Sequence, residues 1–420
     1  MPALSYKYRI EPNKSQAAAL SDMLADFCRL YNSGLEERIN AFKTVANARH
    51  EIVWGEWTDR KGKTREGYVR RHLAKVAADK TRAITYKTQA NKLPRLRTDC
   101  PDLARWSYSA EQQVLRRLEK TFKAFFNRGR GFPRFRAVAR YHAAEFRVGD
   151  GLTIRKNGRV GFVGVAGDIK VRWHRELPSK PVSAILTRQN GKWYIVFHVE
   201  VKPVERASPD SIGIDLGLTS LVATSEGDAI ERPRWTKRAS KKLRRQQRAI
   251  ARCKKGSKTR RKRCALKRQH EAHTAARRRD FLHFLSYCLV LLYGRIGLED
   301  LNIKGLAGSA LAKHVNDAAW GILVNMLIYK AASAGVQIVF VDPRGTSQTC
   351  PGCGLILAKG LHEREHRCEC GVVLDRDVTA AMVVHYRAFG FWQWPGTGPA
   401  ALSKRVASRL AAEAVALTRR

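Results

Sequence analysis

The chain has 420 residues and a formal net charge of +42, from 79 Lys and Arg against 37 Asp and Glu, and 44% of its residues are hydrophobic. A chain this long is expected to form more than one domain, and its self-repulsion predicts a polyanionic partner, namely nucleic acid. No segment approaches the ~20 apolar residues of a membrane span, so no membrane partner is expected. The nine cysteines are odd in number, and five of them are widely scattered, which argues against a disulfide framework and predicts a reducing cytoplasm.

The N-terminal third predicts one strand followed by helices. Residues 6–10 alternate like a strand that ends at Pro12, and Ser15 is placed to cap a helix that runs to about Arg38. A second helix is predicted over residues 111–126. The apolar positions of the first helix recur at helical spacing, at Leu20, Leu24, Phe27, Tyr31 and Leu35.

A β-rich module is predicted over residues 141–201, where short alternating runs are separated by Gly- and Asn-containing turns. The Asn190-Gly191 pair followed by an alternating run predicts a hairpin. Because a strand precedes the helices, we expect this module to contain a helical insertion. Residues 129–136, just before it, have the composition of a loop and supply two candidate nucleic-acid contacts, Arg134 and Arg136.

A boundary is expected at residues 203–209, beyond which strands alternate with helices as in an α/β domain. Residues 236–279 contain twenty Lys or Arg and a single acid, Glu271, and Gly256 should break them into a helical hairpin. A charge run is usually a solvated face, but this density favours nucleic-acid contact. The candidate contacts in it are Arg244, Arg245, Arg248, Lys254, Lys255, Lys258, Arg260 and Arg261.

Three acids occupy positions that suggest a metal centre. Asp215 ends a buried apolar run, Glu299 closes another, and Asp377 lies at a helix start. Taken singly, each has a plain alternative: a turn cap, a surface acid, and a helix cap next to Asp375. Taken together in a basic protein, they favour a pair of Mg²⁺ or Mn²⁺ ions that hydrolyses phosphodiesters, because these ions prefer carboxylate ligands.

A second metal site is predicted from four cysteines, Cys350, Cys353, Cys368 and Cys370. The first pair has the spacing of a zinc knuckle, and the second pair is one residue shorter. His362 or His366 remains an alternative ligand if that geometry fails. Four thiolates leave no open coordination position, so the single zinc ion is interpreted as structural.

The ordered set of motifs resembles the TnpB family of transposon-encoded, RNA-guided DNA endonucleases, relatives of the compact type V CRISPR effectors. The resemblance covers nearly the whole chain. It is carried by residues 213–217 (GIDLG), 298–301 (LEDL), 317–321 (DAAWG), 329–331 (YKA), 346–354 (TSQTCPGCG) and 375–381 (DRDVTAA), and by 8–12 (YRIEP) and 131–135 (GFPRF).

The resemblance implies an α/β plus β-barrel fold. Its parts would be a wedge-type β-barrel domain over 1–14 and 128–205, a helical recognition insertion over 15–127, an RNase H-like (RuvC) nuclease domain over 206–345 and 375–420, and a zinc-binding insertion over 346–374. It also implies that Asp215, Glu299 and Asp377 are the catalytic metal ligands. The partners would be a guide RNA and target double-stranded DNA beside a short transposon-adjacent motif, with a single protein chain in the complex.

The chain departs from the family pattern at three places. Thr379 stands where the family usually has asparagine, the second knuckle is Cys-x-Cys, and residues 47–102 are difficult to align. Three alternatives stay open: a CRISPR effector that uses a CRISPR RNA, a DDE-type transposase, and a non-catalytic RNA-binding regulator.

Overall fold

The structure is a computed structural model that describes residues 3–48, 50–58, 64–72, 84–201, 209–233, 235–306, 308, 312–360 and 363–395. The chain divides into two compact units, one over Ala3–Glu200 and one that begins at Val201. The boundary predicted at residues 203–209 therefore falls, except for Pro209, outside the described residues.

Nine strands lie within the described residues of the N-terminal unit. They are β1 (Ala3–Glu11), β2 (His50–Thr58), β3 (Thr64–His72), β4 (Ala143–Val148), β5 (Gly151–Ile154), β6 (Val160–Phe162), β7 (Lys170–Arg172), β8 (Ser183–Gln189) and β9 (Lys192–Glu200). The strands β2 and β3 form a separate hairpin, and the other seven make one sheet in the order β6-β5-β4-β8-β9-β1-β7. A bridge between Val160 and Ile169 links the two edges of this sheet, so it nearly closes into a barrel.

The prediction of a β-rich module that includes the first strand of the chain is thus confirmed. The predicted turn also joins β8 to β9, with positive φ angles of 49° at Asn190 and 77° at Gly191. Residues 47–102, which the sequence left unassigned, contribute the β2–β3 hairpin and a helix.

The helices of this unit are α1 (Lys14–Ala48), α2 (Tyr86–Asp99), α3 (Pro101–Ala104) and α4 (Tyr108–Arg128). The prediction that Ser15 caps α1 was wrong. Asn13 caps it instead: its Oδ1 accepts from the Gln16 N–H at 2.8 Å, and Gln16 Oε1 accepts from the Asn13 N–H at 3.1 Å. The helix also continues ten residues beyond Arg38.

The predicted stripe of α1 is fully used as core. Leu20, Phe27 and Leu35 are completely buried and pack into one cluster with residues of α4 and the sheet. Burial of each such side chain contributes about 1.5–3 kcal/mol. Arg38 of α1 links two other helices: it donates to Glu119 of α4 at 2.6 Å and to Gln89 of α2 at 2.9 Å.

The part of the C-terminal unit that the structure describes combines seven strands with six helices. Its strands are β10 (Ser211–Asp215), β11 (Ser220–Thr224), β12 (Ala229–Glu231), β13 (Arg295–Glu299), β14 (Gln337–Val341), β15 (Glu365–Arg367) and β16 (Val373–Asp375). Its helices are α5 (Trp235–Ala251), α6 (Lys258–Leu292), α7 (Ile303–Leu306), α8 (Ala312–Ala318), α9 (Trp320–Ala334) and α10 (Arg376–Phe389).

Five of these strands form a mixed sheet in the order β12-β11-β10-β13-β14. The strands β10, β13 and β14 are parallel, whereas β11 and β12 are antiparallel to their neighbours. The strands β15 and β16 pair separately, and Cys368 and Cys370 lie between them in the sequence. We call residues 346–374, which contain all four clustered cysteines, the cysteine segment. The α/β prediction for this half of the chain is confirmed.

The basic segment forms the predicted helical hairpin of α5 and α6. Gly256 takes the left-handed conformation at φ 83°, and Ser257 caps α6 by accepting from the Arg260 N–H. Beyond Arg279 the helix turns apolar, and Phe281, Leu285 and Leu289 are buried in the core of this unit. Within the part of the chain that the structure describes, no helix is long and apolar enough to cross a bilayer.

Helix α10 lies unusually close to the central strands. A Cβ at Gly213 in β10 would come within 2.2 Å of the Ala381 carbonyl oxygen, and one at Gly297 in β13 would lie 3.0 Å from the Ala388 Cβ. Only glycine allows this approach. It fixes the start of α10 beside the carboxyl ends of β10 and β13.

Candidate active site and zinc site

Three acids converge at one end of the five-stranded sheet. Asp215 is the last residue of β10 and Glu299 the last residue of β13. These strands are adjacent and parallel, with Ile214 paired to Leu298, so their carboxyl ends meet at one edge. Asp377 is the second residue of α10 and reaches this edge from the helix.

The turn after β10 shows how closely the first and third acids approach. A Cβ at Gly217 would lie 3.2 Å from the Asp377 Oδ2 and 3.8 Å from the Asp215 Oδ2. Both carboxylates therefore border the space that the missing side chain leaves open. The Ser220 carbonyl oxygen lies 2.7 Å from the same Cβ position, so this small cradle is lined by hard oxygen donors, the kind that divalent cations such as Mg²⁺ prefer.

The charges at this site work against each other. Burial raises the pKa of Asp215 well above its usual value, and the neighbouring charges of Glu299 and Asp377 raise it further. Burial likewise raises the pKa of Glu299 and that of Asp377, the latter also through the nearby Asp375. If all three carboxyl groups are ionised, their mutual repulsion has to be offset by positive charge nearby.

Hydrogen bonds hold the acids in place. Thr346 Oγ1 donates to Glu299 Oε1 at 2.6 Å, and both residues are buried. Asp375 caps α10 by accepting from the N–H groups of Asp377 and Val378, at 2.8 and 3.2 Å. The helix-cap interpretation thus applies to Asp375.

Arginines that the sequence analysis did not single out lie next to the three acids. The charges of Arg364 and Arg376 partly offset the rise in the pKa of Asp377 that burial causes. Arg376 donates to the carbonyl oxygens of Gly360 and Glu363 at 3.0 and 3.3 Å, which ties the cysteine segment to the start of α10.

A further arginine of α10 anchors the loop after β14. Arg387 donates to the carbonyl oxygens of Asp342 and Arg344. Its charge also offsets part of the rise that burial causes in the pKa of Glu299. These contacts join residues more than twelve positions apart, so no local sequence pattern could have indicated them.

Thr379 replaces the asparagine that the family pattern predicts. Its hydroxyl donates to the Asp375 carbonyl oxygen at 2.8 Å, and the side chain is completely buried. The threonine thus satisfies its own polar group inside the helix.

The four predicted cysteines come together. Their Sγ atoms all lie within 4.8 Å of one another, and the Cys350–Cys370 and Cys353–Cys368 pairs are each 3.5 Å apart. Zinc–sulfur bonds of about 2.3 Å in a tetrahedron require sulfur separations of about 3.8 Å, so the set fits zinc. Four clustered cysteines of this kind indicate a structural zinc site.

The shortened second knuckle does not prevent this geometry. Gly371 takes a φ of 88°, which bends the chain back so that the Cys368 N–H donates to the Val372 carbonyl oxygen at 3.0 Å. The backbone N–H of Cys370 lowers the pKa of the Cys368 thiol to about 7, whereas the neighbouring sulfur atoms raise the pKa values of Cys370 and Cys353, so Cys368 is the first of these three thiols to ionise. His366 contacts Lys359 instead of joining the cluster, and His362 lies outside the described residues.

The candidate nucleic-acid contacts are on the surface. Every residue proposed on the α5–α6 hairpin is exposed except Arg260, which is half-buried. Arg134 and Arg136 are exposed on the N-terminal unit. Their role in nucleic-acid binding stays a prediction.

Comparisons with known proteins agree with this architecture. Residues 194–310 match the OrfB_IS605 family model, described as "Probable transposase", and residues 320–384 match the "Cas12f1-like, TNB domain" model. Residues 1–45 match the "Helix-turn-helix domain" model of the same family, a range that here comprises β1 and most of α1.

Similar proteins extend over most of the chain. A Streptomyces pristinaespiralis protein named "Putative RNA-guided DNA endonuclease" is 32% identical over 386 residues, which is 90% of this chain and 87% of that protein. Escherichia coli K12 InsQ, with the same description, is 29% identical over 61% of this chain and 68% of its own length.

A solved structure shares the fold. It is described as the "Cryo-EM structure of the Cas12f1-sgRNA-target DNA complex", and its protein chain aligns with a TM-score of 0.52 at 13% identity, covering 88% of this chain and 82% of that one. The mixed α/β architecture with a nearly closed barrel sheet and a four-cysteine domain is thus a Cas12f1-like fold. The chain belongs to the IS605 OrfB/TnpB family.

Proposed function

We propose that this protein is an RNA-guided DNA endonuclease that binds a transposon-derived guide RNA, recognises a short transposon-adjacent motif and cleaves complementary double-stranded DNA. The main support is the position of three acids. Asp215 and Asp377 lie on either side of Gly217, and Glu299 ends the neighbouring strand. The names of the similar proteins and the net charge of +42 support the same activity.

We further propose that the C-terminal sheet and α10 form an RNase H-like (RuvC) nuclease domain over 206–345 and 375–420, with the zinc insertion over 346–374. Support comes from the three parallel and two antiparallel strands, with acids on β10, β13 and the following helix α10. The nearly closed sheet of the N-terminal unit supports a wedge-type barrel over 1–14 and 128–205, interrupted by the insertion over 15–127.

In this proposal Asp215, Glu299 and Asp377 hold two Mg²⁺ or Mn²⁺ ions. When bound, such ions activate a water molecule and stabilise the leaving oxygen of the phosphodiester. The chain supplies the geometry: β10 and β13 fix two of the acids, the Asp375 cap fixes the start of α10, and Gly217 leaves room for the ions.

The remaining residues would bind and orient the substrate. Guide–target pairing reads the sequence, and the protein holds the heteroduplex through its phosphates. The exposed lysines and arginines of the α5–α6 hairpin offer charge with few base-reading groups, so they suit this role. The DNA strand that the guide RNA displaces would reach Asp215, Glu299 and Asp377 first, because it is single-stranded.

The alternatives fit less well. A DDE-type transposase would not need the cysteine segment between the second and third acids, and that segment matches a Cas12f1-like domain. A regulator without catalysis would not need three carboxylates, Glu299 buried and Asp215 and Asp377 half-buried, so close that the charges of the other two raise the pKa of Asp215. An effector that uses a CRISPR RNA differs in the source of its guide, which sequencing of the co-purified RNA would identify.

The test is plasmid cleavage by purified protein with guide RNA and Mg²⁺. Asp215→Ala, Glu299→Ala and Asp377→Ala are each expected to abolish cleavage and to leave RNA binding unchanged, because each removes a metal ligand and no surface cation. Asp300→Ala is the matched control, since Asp300 is exposed next to Glu299. Asp375→Ala should be milder than the three. Cutting by any of the three variants removes that residue from the centre.

A further inference from the structure

An exposed loop of the N-terminal unit carries aromatic rings among arginines. Every residue from 129 to 140 is exposed except Pro133. Phe135 is 56% exposed and Phe132 36%, and Phe126 at the end of α4 is 62% exposed. Residues 128–140 include five arginines and no acid. Large apolar side chains left in water within such a charged segment indicate a binding surface.

The loop is tied to helix α1 at Arg136 despite its exposure. The Asn32 side chain donates to the Arg136 carbonyl oxygen at 2.9 Å and accepts from the Arg136 N–H at 2.8 Å. Cys28 Sγ donates to the same carbonyl oxygen at 3.3 Å. The backbone beside Phe135 is therefore fixed to helix α1, and a ligand that stacks on this ring would not have to order the loop.

The other rings are held by one another. The Phe125 ring packs edge-on against Phe126 and Phe132, with centroids 5.0 and 5.2 Å away. Phe122, which belongs to the hydrophobic core, stacks on Phe126 and contacts Phe132 edge-on. The exposed rings are thus anchored to the core through α4 and still present more than a third of their surface to water.

The composition decides which partner fits. A second copy of this chain would bring a net charge of +42 against these arginines, so self-association through this loop is disfavoured. Rings interleaved with arginines match unpaired nucleotides, whose bases stack on the rings while their phosphates pair with the guanidinium groups. Duplex bases are already stacked on one another and do not offer their faces.

We propose that this aromatic–arginine surface binds an unpaired stretch of RNA, without reading its sequence. The surface consists of Phe126, Phe132, Phe135, Arg130, Arg134 and Arg136. RNA is favoured because folded RNAs carry unpaired loops and ends, and the guide of the proposed function is such an RNA. The proposal rests on that function and adds to it the surface that holds the unpaired RNA, which needs neither the carboxylates nor divalent ions.

The experiment measures binding of a fluorescent oligouridine RNA to the full-length chain, without divalent ions and at raised salt to suppress phosphate contacts. Phe135→Ala is expected to weaken binding by about 5- to 150-fold, the effect of losing one stacked base. Phe135→Trp should keep the affinity, because it keeps a ring. The control is Phe340→Ala, which removes another exposed ring, on β14 of the C-terminal unit.

Cross-linking of 4-thiouridine RNA to the same full-length chain locates the contact. Cross-links are expected within residues 132–136. Unchanged affinity of Phe135→Ala, equal losses with Phe340→Ala, or cross-links only elsewhere would overturn the proposal. Equal or tighter binding of single-stranded DNA would overturn the choice of RNA. The plasmid-cleavage assay on the wild-type chain separates the two proposals. A wild type that does not cut DNA but shows the Phe135 effect contradicts the nuclease proposal alone, and a wild type that cuts DNA without the Phe135 effect contradicts the RNA surface alone.

Discussion

The cysteine cluster and the carboxylate cluster lie in the same unit but are held together in different ways. All four thiols already lie within 4.8 Å of one another. They belong to the segment 346–374, and none of its described residues is part of the hydrophobic core cluster of either unit. The carboxylates instead stand on the ends of core strands and on α10. The difference indicates that zinc maintains the local fold, whereas the fold maintains the carboxylates against their own repulsion.

Loss of zinc should therefore have the largest structural effect. Cys350→Ser or Cys368→Ser is expected to lower the zinc content from one ion per chain and to expose residues 346–374 to proteases, because structural zinc contributes about 10–16 kcal/mol in zinc-finger peptides. Elemental analysis and limited proteolysis measure this. Cys100→Ser is the control, because Cys100 is exposed and outside the cluster. Well-folded wild type without zinc would contradict the account.

Gly217→Ala tests the carboxylate side of the comparison without removing a carboxylate. The new Cβ would lie 2.7 Å from the Ser220 carbonyl oxygen and 3.2 Å from the Asp377 Oδ2. Displacing reactive groups by about 1 Å can cost about 100-fold in rate, so we expect a cleavage loss of that order. Because the clash is with a backbone oxygen, the melting temperature should also fall, and cleavage is compared well below it. Gly321→Ala, whose Cβ would meet only Ile303 at 3.8 Å, is the control. Wild-type cleavage by Gly217→Ala would show that the cradle is not used.

Thr346→Val should have a smaller effect. It removes the hydrogen bond to Glu299, and a hydrogen bond to a charged group contributes about 1.5–3 kcal/mol. We expect roughly tenfold slower cleavage and a higher Mg²⁺ concentration for half-maximal rate. Thr346→Ser keeps the hydroxyl and should behave like wild type. Equal Mg²⁺ requirements in both variants would show that Thr346 only supports the loop.

The smallest expected effect is a pH dependence of stability. The folded pKa values of Asp215, Glu299 and Asp377 are raised, so the folded metal-free protein holds protons more tightly than the unfolded chain. This stabilisation is complete below the ordinary carboxyl values and is lost as pH rises through the raised folded values.

Added Mg²⁺ should consequently raise the melting temperature more at pH 8 than at pH 5. Thermal unfolding with and without Mg²⁺ measures this, and Asp215→Asn, which removes one of the charges, should reduce the difference. An Mg²⁺ effect that is the same at both pH values would contradict the electrostatic argument.

The sequence predicted the ends of β10 and β13 and the cysteines well, because strand runs and knuckle spacing are local patterns. It could not predict the Thr346–Glu299 hydrogen bond, whose partners are 47 residues apart, or the cradle at Gly217, which depends on where α10 packs. The cap of α1 was misplaced because Asn13 and Ser15 are both good capping residues, and only Asn13 forms the reciprocal pair with Gln16.

The most direct test of the central claim is Mn²⁺ binding to the full-length protein, measured by electron paramagnetic resonance. The account predicts two bound ions per chain in wild type, loss of binding in Asp377→Asn and Asp215→Asn, and unchanged binding in Asp300→Asn. Mn²⁺ binding that survives in Asp377→Asn and Asp215→Asn would contradict the assignment of this cluster as the catalytic metal centre.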